Sequence, residues 1–342
     1  MNLPTSKELS RAVDGAAAAD GVSSRRVRRW IAVIALAQVF NIARVRGILP
    51  AFVVKGGFAL ELRFRGEARA SRDIDIVLPL EREALMDAAV EALRIEWSGF
   101  AFRIKGTPDR RDHSFKFELN SLYQNKEWAT FEVELVFGPV IDQDTIAPLD
   151  LSTFGLLQAA AIPCMTAAEQ IAQKLHAASD PSENRPRDLI DIYLLDTRLR
   201  PSNADLLDQC MRTFEERASH AWPPNIELRD GWARQLQEMI DRLDLALNID
   251  AILHSVRALV SRLVGFTMSP NFRYHFIVLS AQQTVPNLLN DAIMHDDAFD
   301  VFNRMTQREG WRLSQMLPYT SRDQTRAILA ILEQPIEGDD SA

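Results

Sequence analysis

The segment Asp73-Ile74-Asp75-Ile76-Val77-Leu78 alternates acidic and aliphatic side chains, a period-two pattern that predicts an extended strand. Asp73 and Asp75 then project from one face, while Ile74, Ile76 and Leu78 project from the other. One face is bound for a core and the other carries paired carboxylates. Two like charges this close repel, and each resists losing water. A hard divalent ion such as Mg2+, which takes carboxylate and phosphate oxygens together, relieves both costs. Shortly before the strand stands Lys55-Gly56-Gly57-Phe58-Ala59-Leu60. A glycine pair lets backbone N–H groups approach a phosphate with no Cβ in the way, and a helix starting there adds the positive end of its dipole. Acid pair and glycine turn together have the layout of a metal-dependent nucleotide site.

The flanking sequence supplies the rest of a sheet. Residues 51–54 read as a buried segment entering the glycine turn, 58–63 as a short helix and 80–93 as a longer one. Alternation then returns at Phe100, Phe102 and Ile104, at Phe115, Phe117 and Leu119, and at Phe131, Val133, Leu135 and Phe137. Turn residues separate these runs, which predicts a meander alongside the Asp73 strand. The aromatic residues set the apolar face of the last run, so Glu132 and Glu134 share its opposite face. Upstream, 24–45 carries helical apolar spacing at Val27, Ile31, Ile34 and Val39, whereas residues 1–22, rich in Ala, Ser and Gly, are expected to be partly loose. Arg25, Arg26, Arg28 and Arg29 oppose the dipole at the start of that helix, which points to a partner for them.

From Phe154 onward the pattern reads as helical to the end of the chain. Thr166-Ala167-Ala168-Glu169 has the form of a capping box, so a helix is expected from Ala167, with Gln170 and Lys174 on one face. Pro186 suits an early helical position, and 187–195 continues as a buried helix. Asp188 and Asp191 share a face of it among Leu and Ile residues. Buried acids are normally paired, and Lys174 and Arg187 are the available cations. Residues 232–264 read as one or two further helices. Beyond 265 come apolar stretches read as helical at 301–305 and 327–332, then an acidic tail, Glu337-Gly338-Asp339-Asp340. The expected organisation is a nucleotide-binding domain over 1–155, a helical domain over 156–265 that completes the cleft, and a helical extension over 266–342.

Composition narrows the class. With 342 residues, 47% of them hydrophobic, the chain can bury a substantial core. The net charge of −8 argues against a surface that binds nucleic acid everywhere, leaving local basic clusters: the four arginines above, Arg103 with Lys105, Arg110 and Arg111, and Arg185 with Arg187. Cys164 and Cys210 have no metal-ligand spacing, so neither a disulfide framework nor a zinc-cysteine site is expected, and a reducing cytoplasm fits. The longest apolar run, 31–43, is interrupted by Gln38 and Asn41 and is too short to cross a bilayer, so no membrane partner is expected. The six histidines are scattered without Ser or Cys companions and read as incidental.

The glycine pair followed by Ser71-Arg72-Asp73-Ile74-Asp75 resembles the first motif of the DNA polymerase β-like nucleotidyltransferases. More narrowly, 55–78 together with 170–195 resembles the nucleotidyl transferase AbiEii/AbiGii toxin family, whose second signature is matched by Lys174-Leu175-His176-Ala177 and Arg187-Asp188-Leu189-Ile190-Asp191. The resemblance implies an α+β fold: a polymerase β-like mixed sheet flanked by helices, followed by an all-helical C-terminal lobe. It implies transfer of a nucleoside monophosphate from an NTP to an acceptor hydroxyl, with release of pyrophosphate and Mg2+, or Mn2+, as cofactor. By the motif match, Asp73 and Asp75 hold the metal with Glu134, where the family has Asp, as third carboxylate and Glu132 as the alternative. Gly56, Gly57, Ser71 and Arg72 would bind the nucleotide. So would Lys174, Arg187 and Asp188, with Lys174 on the triphosphate and Asp188 or Asp191 orienting it or meeting the acceptor. The family has Ser or Thr after the glycine pair where Phe58 stands here, so Ser71 or backbone alone would serve. A toxin–antitoxin or phage-defence role is also implied, with a cognate antitoxin as partner and the tRNA 3′ end among acceptors. Two other classes use similar residues: a degenerate NTP-binding module without turnover, and a metal-dependent phosphohydrolase or nuclease.

Overall fold

The computed structural model of the chain describes residues 3–138, 142–243, 245–266, 272–280, 312–320 and 326–335. The chain divides into two compact units, Met1–Gln170 with Met239–Leu245, and Ile171–Glu238 with Ala246–Ala342. In chain order the elements are α1 (Ser6–Ala19), α2 (Ser24–Val45), β1 (Val53–Lys55), α3 (Gly56–Phe64), β2 (Asp73–Leu78), α4 (Arg82–Ala92), β3 (Phe100–Arg110), β4 (Ser114–Tyr123), β5 (Lys126–Phe137), β6 (Gln143–Ile146) and β7 (Ile162–Met165). There follow α5 (Ala167–Ser179), α6 (Arg187–Leu199), α7 (Asn203–Arg217), α8 (Trp232–Arg242), α9 (Ile249–Phe266), β8 (Phe272–Ser280), β9 (Arg312–Thr320) and β10 (Arg326–Pro335).

The first unit is built on a seven-stranded mixed sheet in the order β3-β4-β5-β2-β1-β7-β6. The meander β3-β4-β5 is antiparallel, as the alternating aromatics predict, and β5 lies parallel to β2. The odd-even split of β2 holds, with Ile74 and Ile76 buried and Asp73 and Asp75 partly exposed. Helix α2 is buried almost all round between Trp30 and Phe40, as befits a helix inside a core rather than on a surface. It packs on β5, β3 and β7.

The N-terminal segment expected to be loose is helix α1. Thr5 and Glu8 form a capping box, and Leu9, Val13 and Ala17, four apart, are buried on one face. Three of the four arginines at the start of α2, Arg26, Arg28 and Arg29, have intrachain partners. Arg26 Nε lies 2.9 Å from Glu61 Oε2, Arg29 also pairs with Glu61, and Trp30 Nε1 donates to it at 2.7 Å. Arg28 stacks over the Trp128 ring at 4.9 Å. Buried charge is stable only when it is paired in this way.

Residues beyond 154 are not helical throughout. Residues 162–165 form β7, which pairs parallel to β1 through Val54 and Cys164 and completes the sheet. The change to helices therefore comes after 165 rather than at 155. The second unit carries α6, α7 and α9, with Leu189, Ile190, Leu206, Cys210, Val256 and Leu259 buried. The C-terminal lobe, expected all-helical, also contains an antiparallel sheet in the order β8-β10-β9, with Ala330 opposite both Ile277 and Met316. An apolar run as short as 327–332 carries no period that separates strand from buried helix, and here pairing on both sides decides for strand. The 301–305 stretch and the acidic tail lie outside the described residues.

Both cysteines are buried, Cys164 in β7 and Cys210 in α7. Burial pushes the Cys164 thiol up to about 12 and the Cys210 thiol higher still. Since the thiolate is the reactive form, neither should react with a disulfide reagent at pH 8 in the native protein, and both should react once it is unfolded. Stoichiometric labelling before unfolding would contradict this packing.

Candidate active site

Residues paired across neighbouring strands share a face, and the register places a charged layer on the solvent side of the first unit's sheet. Lys55 stands opposite Asp75, and on the other side Glu134 is beside Asp75 and Glu132 beside Asp73. Strand β4 adds Lys116 opposite Glu134. Lys116 Nζ lies 3.0 Å from Glu132 Oε2 and 4.0 Å from Asp73 Oδ2. Glu134 accepts from Ser114 Oγ at 2.6 Å and lies 3.5 Å from Arg111 Nη1. Both glutamates thus have protein partners, and the side chain of Glu132 is the more exposed, 47% against 21%.

The glycine turn is also the start of α3. Gly56 has φ of +68°, and a Cβ there would lie 2.0 Å from Asp75 Oδ2. A Cβ on Gly57 would lie 2.6 Å from Ser71 Oγ. The pair therefore brings the N-terminal backbone of a helix directly against the acid strand, and any larger residue would collide with the carboxylate it approaches. Gly56→Ala is expected to cost about 1–2 kcal/mol for the left-handed backbone alone, and to displace Asp75, so any activity that uses this site should fall much further than the melting temperature. Full activity in that variant would show that the approach is dispensable.

Ser71 is buried between these parts. Its hydroxyl donates to the Asp73 carbonyl at 2.9 Å and contacts Asp73 Oδ1 at 3.3 Å, while its N–H donates to Glu61 Oε1 at 2.6 Å. The hydroxyl is therefore engaged in orienting Asp73, and Arg72 beside it is exposed. Phe58, which stands where the family has Ser or Thr, is fully buried in the core. Glu61 escaped the sequence reading. Its signal was a lone acid inside the apolar run 58–62.

The donor set suits a hard divalent ion. Carboxylates of Asp73 and Asp75 emerge from one strand face, and the absence of a Cβ at Gly56 lets the start of α3 stand against Asp75.

The second unit brings together the other motif residues. Lys174 Nζ donates to Asp188 Oδ1 at 2.9 Å and to Asp191 Oδ2 at 2.7 Å, and all three side chains are largely buried. This pairing joins α5 to α6, and each acid has the partner that burial requires. Arg187, one residue earlier, is exposed.

The chain matches the nucleotidyl transferase AbiEii toxin family, assigned to type IV toxin–antitoxin systems, over residues 45–262. Its fold is similar to that of MenT4, a nucleotidyltransferase toxin from Mycobacterium tuberculosis, with a TM-score of 0.51, 19% identity, and coverage of 76% of this chain and 90% of that one. The antibiotic-resistance factor ANT(2'')-Ia aligns over 54% of this chain and 92% of its own, at 17% identity and a TM-score of 0.34. No curated protein matches the chain in sequence. No helix among the described residues is long and apolar enough to cross a membrane.

Proposed function

Since the chain belongs to the nucleotidyl transferase AbiEii toxin family of type IV toxin–antitoxin systems, we propose that it is a Mg2+-dependent toxin that transfers NMP from an NTP to the 3′ end of tRNA. Mn2+ is the alternative metal and a cognate antitoxin is the partner. The observation that carries the reading is the closeness of Gly56 to Asp75 Oδ2 at the start of α3, with Asp73 on the same strand face. That juxtaposition supports a site in which N–H groups at the start of α3 would bind phosphate beside carboxylates that would bind the metal.

Asp73 and Asp75 would hold the metal, with Glu134, the strand partner of Asp75, as third carboxylate and Glu132, the strand partner of Asp73, as its substitute. When bound, the ion supplies positive charge at the reacting phosphate and lowers the pKa of the acceptor hydroxyl. Gly56 and Gly57 would bind phosphate oxygens through their N–H groups, and the dipole of α3 favours the anion there. Lys55, on the same face as Asp75, would add a positive charge near the phosphates. In the reaction the acceptor oxygen forms a bond to the α-phosphorus, the bond to the bridging oxygen of the β-phosphate breaks, and pyrophosphate leaves with that electron pair. The hydroxyl proton passes to solvent.

Ser71 would serve as a positioning residue for Asp73 rather than as a phosphate ligand. Lys174, paired with two carboxylates, would work chiefly with Asp188 and Asp191 to set the α5–α6 surface. Arg72 and Arg187, both exposed, are the candidate contacts for nucleotide or RNA phosphates.

The test is incubation of purified protein with Mg2+, total tRNA and each α-labelled NTP in turn. Label should pass from at least one NTP to RNA with equimolar pyrophosphate, and Asp73→Ala should abolish it. Free labelled monophosphate without RNA product would instead favour a phosphohydrolase. Tight Mg-NTP binding with no turnover would favour a degenerate binding module.

A further inference from the structure

The second unit contains a cluster that lies outside the nucleotidyltransferase motifs except for the histidine that follows Lys174-Leu175. Helix α5 supplies His176 and, one turn later and just past its end, Asp180. The segment after α7 supplies His220. A ring nitrogen from each histidine and a carboxylate oxygen of Asp180 lie within 4.8 Å of one another. Ser219 Oγ sits among them, 3.1 Å from His176 Nε2, 2.6 Å from Asp180 Oδ2 and 3.0 Å from His220 Nδ1. On the far side of the His220 ring, Ser179 Oγ is 2.6 Å from Nε2 and donates to the Leu175 carbonyl at 2.7 Å.

The cluster has more lone pairs than protons to share among them. A serine hydroxyl has one proton to give. That of Ser219 goes to Asp180 at the shortest contact, and that of Ser179 to the Leu175 carbonyl. Ser179 must therefore accept from His220 Nε2–H, and a neutral His220 ring then aims a bare Nδ1 lone pair at the Ser219 oxygen. The second histidine adds to the imbalance. His176 is 4% exposed, and its Nδ1 has no hydrogen-bond partner among the described residues. In either tautomer one buried polar group is left unmatched, which is costly. Several electron pairs therefore converge on one buried point.

The protonation states agree with that count. Burial first, then the neighbouring His220 and Arg217, hold His176 down at about 4, and burial also lowers His220. Burial disfavours charge on Asp180, but hydrogen bonds from Ser219 and Ser182 outweigh it and hold its carboxyl well below the usual range. Two neutral imidazoles and a carboxylate are the forms in which these residues bind metal. Phe214 packs edge-on against both rings, at 4.9 Å from His176 and 5.0 Å from His220, with Trp222 5.4 Å behind it, which walls the cluster with apolar surface.

We propose that His176, Asp180 and His220 form a zinc-type metal site, with a fourth position for Ser219 or water, that fastens the Ala218–His220 segment to the end of α5. Mixed imidazole and carboxylate ligands suit Zn2+ rather than Mg2+, whose preference is for oxygen alone. The His220 Nε2–H contact to Ser179 is the kind of outer bond that orients a ligating imidazole. Donors that already lie within 4.8 Å of one another suit a single ion with bonds of about 2.0–2.1 Å.

The test uses full-length protein carrying Asp73→Ala, which removes one of the competing carboxylates on the sheet. Cobalt(II) should bind at one equivalent with the visible absorption of a tetrahedral site, and Zn2+ should displace it. Zn2+, and not Mg2+, should raise the melting temperature. In His220→Gln and Asp180→Asn the band should vanish, and affinity should fall by at least about 100-fold, the upper end of what changes to outer contacts cost. A parent protein with no cobalt band and no zinc-dependent thermal shift overturns the proposal, whether or not the variants fold. So does a band that persists unchanged in both variants.

Discussion

Replacing Asp75 by Asn should lower nucleotidyl transfer by about 10³-fold or more while leaving the far-UV circular dichroism unchanged. The substitution keeps the size of the side chain and removes one of two charges that face the same side of β2. A metal ion contributes several kcal/mol of charge stabilisation in reactions of this class, and each 1.36 kcal/mol or so is a factor of ten in rate. The amide would still fit against Gly56, where a Cβ would lie 2.0 Å from Asp75 Oδ2, so the backbone has no reason to move. Initial rates with labelled NTP and tRNA, compared at saturating Mg2+, give the measurement. A variant within about tenfold of wild type, where each factor of ten is roughly 1.4 kcal/mol, would remove Asp75 from the metal site and with it the proposed mechanism.

Glu61→Gln should cost about 3–5 kcal/mol of folding stability, the range seen when one partner of a buried ion pair is removed. The Glu61 carboxylate is completely buried and pairs with both Arg26 and Arg29, whose side chains are 14% and 15% exposed. It also accepts from the Trp30 indole and from the Ser71 N–H. An amide keeps at most one acceptor oxygen and leaves two guanidinium groups without a counter-charge. Trp30 is a built-in reporter, so urea unfolding followed by tryptophan fluorescence reads the change directly. Because Ser71 in turn bonds Asp73, transfer activity should decline alongside stability. A loss below about 1 kcal/mol, the size of an ordinary substitution, would mean that the arginines find other partners.

Much of the site could be read from local pattern. The alternation at 73–78, the three aromatic strands and the glycine pair each involve residues a few positions apart, and side-chain direction along a strand follows from backbone geometry alone. The capping sequence at Thr166 likewise announced α5, and Thr166 Oγ1 accepts from Glu169 N–H at 3.2 Å. The same logic was available for α1, where Thr5 and Glu8 repeat the pattern, but the Ala-rich composition masked it. The partners across long separations were not legible. Nothing near Arg26 in the chain names Glu61, 35 residues on, and nothing near His176 names Ser219, 43 residues on. The helical reading of 327–332 failed for a related reason, since the pairing of that segment with β8 and β9 depends on strands elsewhere in the chain.

By itself, the sequence determined which side chains share a strand face and where a helix can begin, because steric and hydrogen-bonding rules act between near neighbours. It thereby specified the acid pair and the glycine turn. Tertiary structure alone decided that Gly56 abuts Asp75, that Glu61 pairs with Arg26 and Arg29, and that two scattered histidines meet at Asp180. Those outcomes depend on which distant segments pack together, and burial then forces every charge so enclosed to find a partner.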